Sequence, residues 1–413
     1  MAKDNERVIT AANRNVALYP WYKLLQSLAF SQAIWFLYFQ TVLTPAEAIM
    51  LYAVFDLATT VFEVPSGYAS DKFGRRITLI LSGICACAGA ALLGLGDTFM
   101  VFVAAQILVG AGSAFASGTD SAFLYESLNA AGRKSELEAQ ELKAWCFSFT
   151  ALALSAVTGG AIALYSQSAT FLITAVVLFG AILISLRFRE PPRDTGHSPQ
   201  AGELTRFTSL RAAFTNRTLT WLFVLSLLMY IFSHLPYVFG QPYIADALSN
   251  IGLQQDAPLI SGMVTTTMML LSVIASLFAT KLRARIGLAG ILLLAFGMQI
   301  ALSGVVALTN APIVIAVLLL RMVPDAFSRP FLVARIQPEL QDDARATYLS
   351  LQSFAGRLIF AATLFIASGA ADGPDGMAFA EIQSILGGYV IVGVICILGL
   401  ALAARRLPIN AKP

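Results

Sequence analysis

Long apolar stretches alternate with short polar breaks along almost the whole chain. Most stretches hold about 20 residues or more, which lets an α-helix cross the hydrocarbon core of a bilayer. The pattern therefore predicts an all-α membrane protein with twelve transmembrane helices. The expected helices are 17–42, 46–69, 77–96, 99–127, 142–165, 168–188, 218–245, 257–281, 286–308, 311–336, 346–370 and 379–403.

One polar interval, Arg189 to Arg217, is much longer than the others and is rich in proline and glycine. Six predicted helices precede it and six follow it. We expect an N-terminal tail at 1–16, a six-helix bundle at 17–188, a linker at 189–217, a second six-helix bundle at 218–403 and a tail at 404–413.

Composition supports a membrane location. Hydrophobic residues make up 57% of the chain and charged residues 12%, whereas a soluble domain is about half apolar and a quarter charged. The segment before the first apolar run is polar and mixed in charge through Asn15, with no cleavage signal after a short apolar core. We therefore expect the first apolar run to remain as a helix.

Lys and Arg occupy every second polar break, which orients the helices. They occur in the N-terminal tail, after predicted helices 2, 4, 8 and 10, in the linker and at the C-terminal tail. The alternate breaks lack them and instead hold Asp97, Asp246, Asp256, Asp372 and Asp375. The positive-inside rule then places both termini and the linker in the cytoplasm. Short loops favour a plasma membrane of bacterial type, an inner membrane.

The break after helix 2 carries a recognisable signature. Gly67–Arg76 reads as Gly, three residues, Asp, a basic residue, any residue, Gly and two basic residues. This segment resembles the loop signature of the major facilitator superfamily and lacks only the usual Leu, which Ala69 replaces. The topological resemblance covers the whole chain. It implies the superfamily's fold of two pseudo-symmetric six-helix bundles around a substrate path, with a site at their interface.

The resemblance also implies a conformational latch between the bundles. Asp71 would accept hydrogen bonds at the start of helix 11 near Thr347, and Arg75 would pair with Glu126. The expected latch residues are Gly67, Asp71, Gly74, Arg75, Arg76 and Glu126. The two glycines permit a tight turn and close backbone approach. The alternative is that the basic cluster serves only as an orientation signal.

Two further motifs of the superfamily match in part. Gln106–Gly112 retains the Gly-x-Gly of proton-coupled members, but Gln106 replaces the Arg. Ser155–Gly160 retains the small residues of a motif of drug–proton exchangers and lacks its Pro. The small residues would permit close helix packing. The missing Arg and Pro weaken the indication of proton-driven export.

Charges inside apolar stretches are the candidate functional residues, because a charge in the hydrocarbon core costs at least about 2.5 kcal/mol. Asp120, Glu63 and Asp56 are the candidate proton-coupling acids, and burial can bring carboxylate titration toward neutral pH. Lys23, Glu63 and Asp120 could form one ionic cluster. The candidate substrate-binding residues are Arg321, Asp325, Arg329, Arg357, His234, Lys23, Tyr38 and Tyr237.

The substrate candidates favour an anionic or zwitterionic compound. Arg321, Asp325 and Arg329 follow i, i+4 and i+8 spacing and share one helix face, and Arg suits carboxylate and phosphate groups. The aromatic residues would suit an amphiphilic compound. The alternative for all of these charges is that they pair with one another and only hold the helices in place.

The leading hypothesis is a secondary active transporter that exports small organic compounds in exchange for protons. The runner-up is an importer of an organic anion or nutrient, by symport or facilitation. An ATP-driven pump is not expected, because the sequence has no phosphate-binding loop. An enzyme is not expected, because the two histidines, His197 and His234, pair neither with a cysteine nor with each other. A sensor would need a larger soluble extension. We expect a monomer with a small-molecule substrate and protons as partners, without a metal, cofactor or nucleic acid.

Overall fold

A computed structural model describes residues 2–192, 214–336, 342–371 and 377–409. Helices and turns make up these ranges, and they contain no strand. The predicted all-α fold is therefore confirmed for the described chain. Nine of the described helical segments are long and apolar enough to cross a membrane, which makes this a multi-pass membrane protein.

The helices are numbered in chain order. The first eight are α1 (Ala2–Ser27), α2 (Trp35–Phe39), α3 (Pro45–Phe73), α4 (Arg75–Leu95), α5 (Phe99–Ala116), α6 (Thr119–Ala130), α7 (Leu137–Ala163) and α8 (Gln167–Arg187). The remaining six are α9 (Arg217–Ser249), α10 (Ala257–Leu308), α11 (Ile315–Leu318), α12 (Val323–Ile336), α13 (Asp342–Ser368) and α14 (Phe379–Ala404). Short 3₁₀ turns precede α7, α10 and α11.

Several predicted helices have different limits in the structure. The helix expected at 17–42 begins at Ala2 and is interrupted between Ser27 and Trp35. The helix expected at 99–127 is interrupted at Ser117 and Gly118, and the one expected at 311–336 between α11 and α12. The helices expected at 257–281 and 286–308 form α10, which is bent at Gly287, where φ is 74°.

The interruption after α1 is stabilised by neighbouring helices. The N–H of Ala29 donates to Ser155 Oγ at 3.2 Å, and the N–H of Phe30 donates to Thr174 Oγ1 at 3.1 Å. Gly159 leaves room for the carbonyl of Phe30, which a Cβ at that position would strike. Non-helical backbone inside a membrane requires such substitutes for its helical hydrogen bonds. The small residues of 155–160 thus accommodate the break in the first helix.

The chain divides into two compact units. The N-terminal unit comprises Met1–Leu43, Met50–Ser198 and Ser261–Met263, and the C-terminal unit comprises Thr44–Ile49, Pro199–Ile260 and Val264–Pro413. Of the predicted linker 189–217, residues 193–213 lie outside the described residues.

In the N-terminal unit, α4 packs between α5 and α8, and α1 packs against α6, α7 and α8. Ser82 in α4 donates a hydrogen bond of 2.7 Å to the carbonyl of Gly112 in α5. A buried apolar cluster joins α1, α4, α6, α7 and α8. At its edge the ring of Phe188 lies 4.5 Å from that of Phe123 and 5.5 Å from that of Tyr22. This cluster fixes the chain where it leaves α8.

In the C-terminal unit, α9 is the central helix and contacts α12, α13 and α14. Two hydrogen bonds between side chain and backbone lock it in place. Trp221 Nε1 donates to the carbonyl of Leu400 at 3.0 Å, and the hydroxyl of Tyr348 donates to the carbonyl of Leu219 at 2.8 Å. These bonds hold α14 and α13 against the first turn of α9. They therefore fix the position of α9, and with it the positions of the polar residues further along this helix.

Candidate functional site

Arg75 lies at the start of α4 and connects three polar groups of the N-terminal unit. Its guanidinium contacts Asp71 Oδ1 at 2.8 Å, Glu126 Oε1 at 3.1 Å and Ser70 Oγ at 2.7 Å. The side chains of Arg75 and Glu126 are only 18% and 15% exposed, whereas that of Asp71 is 75% exposed. The Arg75–Glu126 contact therefore ties the start of α4 to α6 in a sheltered position.

The turn before α4 requires glycine and is capped by a distant acid. Gly74 has φ of 108°, a conformation that L side chains rarely adopt. The carboxylate of Glu190 accepts hydrogen bonds from the backbone N–H groups of Arg75 and Arg76, at 2.7 and 2.9 Å. A Cβ on Gly74 would collide with that carboxylate. Negative charge at a helix start is favourable because the free N–H groups point toward it.

One latch residue, Gly67, has a different setting from the predicted one, and the predicted contact of Asp71 lies outside the described residues. Gly67 lies within α3, and a Cβ there would meet no described atom within 4 Å, so the close approach expected at this position is absent. The sharp turn falls entirely at Gly74. The predicted partner of Asp71 near Thr347 has its side chains outside the described residues. Arg76 donates from Nη2 to the carbonyl of Leu186 at 2.9 Å.

A polar cavity of about 250 Å³ lies between α1, α6 and α7 of the N-terminal unit. Within it, Lys23 Nζ forms an ion pair of 2.8 Å with Asp120 Oδ2, and the two side chains are 22% and 15% exposed. Lys23 also donates to Gln26 Oε1 at 2.9 Å. The break before α6 allows the N–H of Ser121 to donate to Asp120 Oδ1 at 2.8 Å. Both oxygens of the Asp120 carboxylate are thus held.

Glu141 is a third charged residue of this N-terminal cavity, and sequence reasoning missed it. It projects from α7 together with Ala144, Trp145 and Ser148. Their spacing places these residues on one helix face. The sequence signal was available, since Glu141 follows the same face as Trp145 and Ser148. It was passed over because the predicted helix began at residue 142, which assigned Glu141 to a polar break.

The other residues predicted for the N-terminal half lie elsewhere. Glu63, half-buried in α3, is not among the residues that line this cavity, so the expected cluster of Lys23, Glu63 and Asp120 contains only Lys23 and Asp120. Asp56 is 2% exposed in α3. Tyr38 is packed in the core, where its hydroxyl donates to the carbonyl of Leu93 at 2.8 Å and its ring lies 4.6 Å from Phe171.

A second cavity, of about 280 Å³, lies between α9, α12 and α13 of the C-terminal unit. Asp325 and Arg329 line it, together with Ser226, Ser233, Ser328 and Gln352. The carboxylate of Asp325 is 3.8 Å from Arg329 Nε and accepts a hydrogen bond of 3.4 Å from Gln299 Nε2. The Arg329 side chain is 70% exposed. This cavity therefore holds a loose ion pair with an accessible cation.

The remaining predicted residues of the C-terminal unit lie in α9, directly after α11 and in α13. Arg321 follows the short helix α11, donates to Met268 Sδ at 2.7 Å and to the carbonyl of Pro236 at 3.2 Å, and lies 5.5 Å from the centre of the Tyr237 ring. The His234 ring lies 4.2 Å from Tyr230. His234 Nδ1 lies 2.7 Å from the carbonyl of Tyr230. Arg357 lies in α13, which packs against α9.

Within the described residues, no group of three or more His, Cys, Asp or Glu side chains could hold a metal ion. The two cavities offer ion pairs, hydroxyls and amides, and these groups can bind and release a polar solute or a proton. In the described residues no His or Cys stands beside the Lys23–Asp120 pair as a nucleophile.

Comparison with known proteins supplies a family. The model of the Major Facilitator Superfamily matches residues 15–364. No curated protein matches the chain by sequence.

Solved transporter structures share the fold at low sequence identity. A mutant form of the nucleoside transporter NupG superimposes with a TM-score of 0.77 at 13% identity, over 93% of this chain and 99% of that one. A bacterial homologue of the human lysosomal transporter Spinster gives 0.68 at 15% identity, over 99% of both chains. A D-xylose–proton symporter gives 0.65 at 17% identity, over 94% of this chain and 96% of that one.

Proposed function

Since the chain belongs to the major facilitator superfamily, and is a membrane transporter rather than an enzyme, we propose that it exports small organic compounds in exchange for protons. The compounds would be anionic or amphiphilic. Transport would proceed by alternating access, in which a binding site opens to one side of the membrane at a time. Asp120 would carry the exchanged proton.

The observation that carries this proposal is the Lys23–Asp120 ion pair in the N-terminal cavity. The pair is sheltered, with the Asp120 side chain 15% exposed, yet it borders a cavity of about 250 Å³. Protonation of Asp120 would cancel its charge and leave Lys23 without its carboxylate partner in a poorly hydrated setting. Because such a charge is costly to leave unpaired, proton binding would change the relative stability of two arrangements of these helices.

The cations of the C-terminal unit support an anionic substrate group. Arg321 contacts a thioether, a carbonyl and an aromatic ring, and Arg329 is 70% exposed beside its cavity. Arginine presents planar donors that match carboxylate and phosphate groups. The aromatic rings of Tyr230 and Tyr237 would contact the apolar part of an amphiphilic compound.

We extend the proposal to the topology. The segment Gln254–Leu308 has 55 residues, which is enough for two spans on either side of Gly287. Nine segments qualify by length and composition, and counting this one as two spans gives ten. The interrupted helices at residues 2–39 and 315–336 would bring the number of spans to twelve. The distribution of Lys and Arg then favours cytoplasmic termini in a bacterial inner membrane.

The latch residues have a proposed role in the same cycle. Arg75 would hold Asp71 and Glu126 while the substrate site faces outward, and loss of one contact would free Asp71. The short contacts of Arg75 with both carboxylates support this role. Gly74 and Glu190 would position Arg75 for it.

Import by symport or facilitation is the second candidate. One of the similar structures is a D-xylose–proton symporter. Gln106 stands where the proton-coupled members carry Arg, and the exporter motif at 155–160 lacks its Pro. These departures favour an importer of an organic anion or nutrient.

A flux assay in liposomes would test both candidates. The purified protein is reconstituted with a pH-sensitive dye inside the vesicles, a proton gradient is imposed, and organic anions, cations and neutral amphiphiles are added in turn. Exchange predicts that substrate and protons move in opposite directions, and symport predicts that they move together. Asp120→Asn should abolish the proton signal, whereas the matched control Asp97→Asn, at an exposed helix connection, should retain it. Substrate movement without any proton signal would exclude both coupled mechanisms.

A further inference from the structure

A basic cavity lies outside both polar cavities, at the end of the N-terminal unit where α1 begins and α8 ends. Its volume is about 540 Å³, and Arg7, Arg14 and Arg189 line it together with Glu6, Thr10 and Ala11. Neither the proposed proton site nor the latch uses these residues. Three arginines face one glutamate, so the lining carries an excess of two positive charges.

The arginines of α1 are placed by a helix that extends beyond the predicted span. Residues 1–16 were expected to form a tail, but α1 begins at Ala2 and continues without interruption to Ser27. Arg7 and Arg14 are separated by seven residues, which places them on one face about 10 Å apart along the axis. A continuous helix therefore presents two guanidinium groups at a fixed spacing.

Arg189 is held in register with this face by a buried amide. Asn15 Oδ1 accepts from the N–H of Arg189 at 2.9 Å, and Asn15 Nδ2 donates to the carbonyl of Arg189 at 2.8 Å. Asn15 is 1% exposed and also donates to Ser127 Oγ at 3.2 Å. The backbone of Arg189 is thus anchored on both sides of its Cα. The hydrogen bonds from Asn15 therefore fix the position of the third arginine in the lining.

The cavity has an apolar margin. An adjoining cavity of about 400 Å³ shares Arg7, Ala11 and Arg189 and adds the apolar residues Val8, Ala12, Pro191 and Pro192. Asn15 and Glu190 also line it, and the Glu190 carboxylate is engaged by the N–H groups of Arg75 and Arg76. Among the described residues, no carboxylate forms an ion pair with Arg7, Arg14 or Arg189. The arrangement combines guanidinium groups that form no ion pair within the described residues with a partly apolar wall beside a membrane helix.

We propose that this basic cavity binds the phosphate headgroup of an anionic phospholipid. Arginine forms paired hydrogen bonds with phosphate oxygens, and basic pockets beside membrane helices recognise anionic headgroups. A free phosphate ion shares this chemistry, but the apolar margin of Val8, Pro191 and Pro192 favours a ligand that carries acyl chains. Phosphatidylglycerol is a suitable probe, because it carries one phosphodiester charge.

Native mass spectrometry of the full-length protein would test the proposal. The protein is released from nanodiscs that contain phosphatidylglycerol and phosphatidylcholine, and the retained lipids are counted. The wild type should retain phosphatidylglycerol selectively. Combining Arg7→Gln, Arg14→Gln and Arg189→Gln should weaken its binding about 100-fold, at about fivefold per arginine. The matched control combines Lys281→Gln, Arg405→Gln and Arg406→Gln, which removes the same charge from the C-terminal unit and should leave retention unchanged.

Two further measurements separate a built site from a diffuse basic surface. Asn15→Ala removes no charge but releases the backbone of Arg189, so it should weaken phosphatidylglycerol retention several-fold in the folded protein. Replacing the three arginines by lysine should retain part of the binding, because the charge remains without the planar fork. The thermal unfolding midpoint of the glutamine variant checks that it is folded. Equal retention by the wild type and the glutamine variant would overturn the proposal. Equal competition by inorganic phosphate would overturn the lipid as the ligand.

Discussion

The ion pairs in the cavities of the two units differ in length and in the exposure of their side chains. In the N-terminal cavity, Lys23 and Asp120 form a pair of 2.8 Å with both side chains largely buried. In the C-terminal cavity, Asp325 and Arg329 are 3.8 Å apart, and Arg329 is 70% exposed. Either charge of the short, sheltered pair is costly to leave without its partner. The loose pair gains little from its contact, so its cation remains accessible to a solute.

The largest expected effect is on proton flux, and it should differ between variants of the two ion pairs. Asp120→Asn should reduce substrate-driven proton flux at least tenfold, because Lys23 loses its carboxylate partner and the proposed proton-carrying group is removed. At saturating substrate, Arg329→Gln, at the exposed partner of the C-terminal pair, should change proton flux less than twofold, because it would weaken substrate binding and not proton transfer. Both variants are measured in liposomes with an internal pH dye. Equal losses in the two variants would remove the functional distinction between the cavities.

The second prediction concerns substrate affinity in the C-terminal unit. Arg321→Ala should raise the KM for an organic anion about tenfold, since a charge-assisted hydrogen bond would be lost. Arg321→Lys should recover part of the affinity, because it retains the charge without the planar fork. Uptake of a radiolabelled anion over a range of concentrations gives the KM. A change in kcat with an unchanged KM would indicate that Arg321 acts on conformation and not on substrate.

The third prediction concerns stability. Asp120→Asn should lower the free energy of unfolding by about 2 kcal/mol, a value between those of exposed and fully buried pairs. Lys23→Met combined with Asp120→Leu should restore most of that stability, because both buried charges are removed together. The double variant should still lack proton coupling. Denaturant unfolding in detergent micelles measures the first effect, and the liposome assay measures the second. Recovered coupling in the double variant would show that neither charge carries the proton.

The smallest effect is expected at an exposed pair in the turn between α6 and α7. Arg133 Nη2 lies 2.6 Å from Glu136 Oε2, and its hydrogen bonds lower the pKa of Glu136 to about 2. The contribution of this pair is complete above the unfolded pKa of about 4.5 and is lost as the pH falls toward 2. Glu136→Gln should remove this part of the acid dependence of unfolding without changing transport. Unfolding midpoints measured from pH 6 to pH 3 would check it.

The apolar pattern predicted most helix positions, because bilayer thickness limits the length of a spanning helix. It did not predict the interruption after α1. The groups that stabilise that interruption, Ser155 and Thr174, are more than 120 residues away in sequence. When distant side chains stabilise an interruption of a helix, the sequence of that helix itself carries no sign of the interruption.

The candidate sites were predictable only where a charge stood inside an apolar run. Lys23 and Asp120 were found in this way, and the structure adds that they touch. Glu141 was missed because it lies at the edge of its apolar run, where charged residues are ordinary. Glu190 was missed because it follows the last helix of the N-terminal unit and resembled any other linker acid. Its role depends on a hydrogen-bonding partner 115 residues earlier.

The cap that Glu190 places on α4 has a consequence for the order of folding. Glu190 lies three residues beyond the end of α8, so the ribosome makes it only after all eight helices of the N-terminal unit. The signature turn at Gly74 can therefore acquire its final hydrogen bonds only when that unit has been synthesised in full. Domains generally fold as units during synthesis, beginning with the N-terminal one. Closure of this contact would mark the completion of the first bundle before the second emerges.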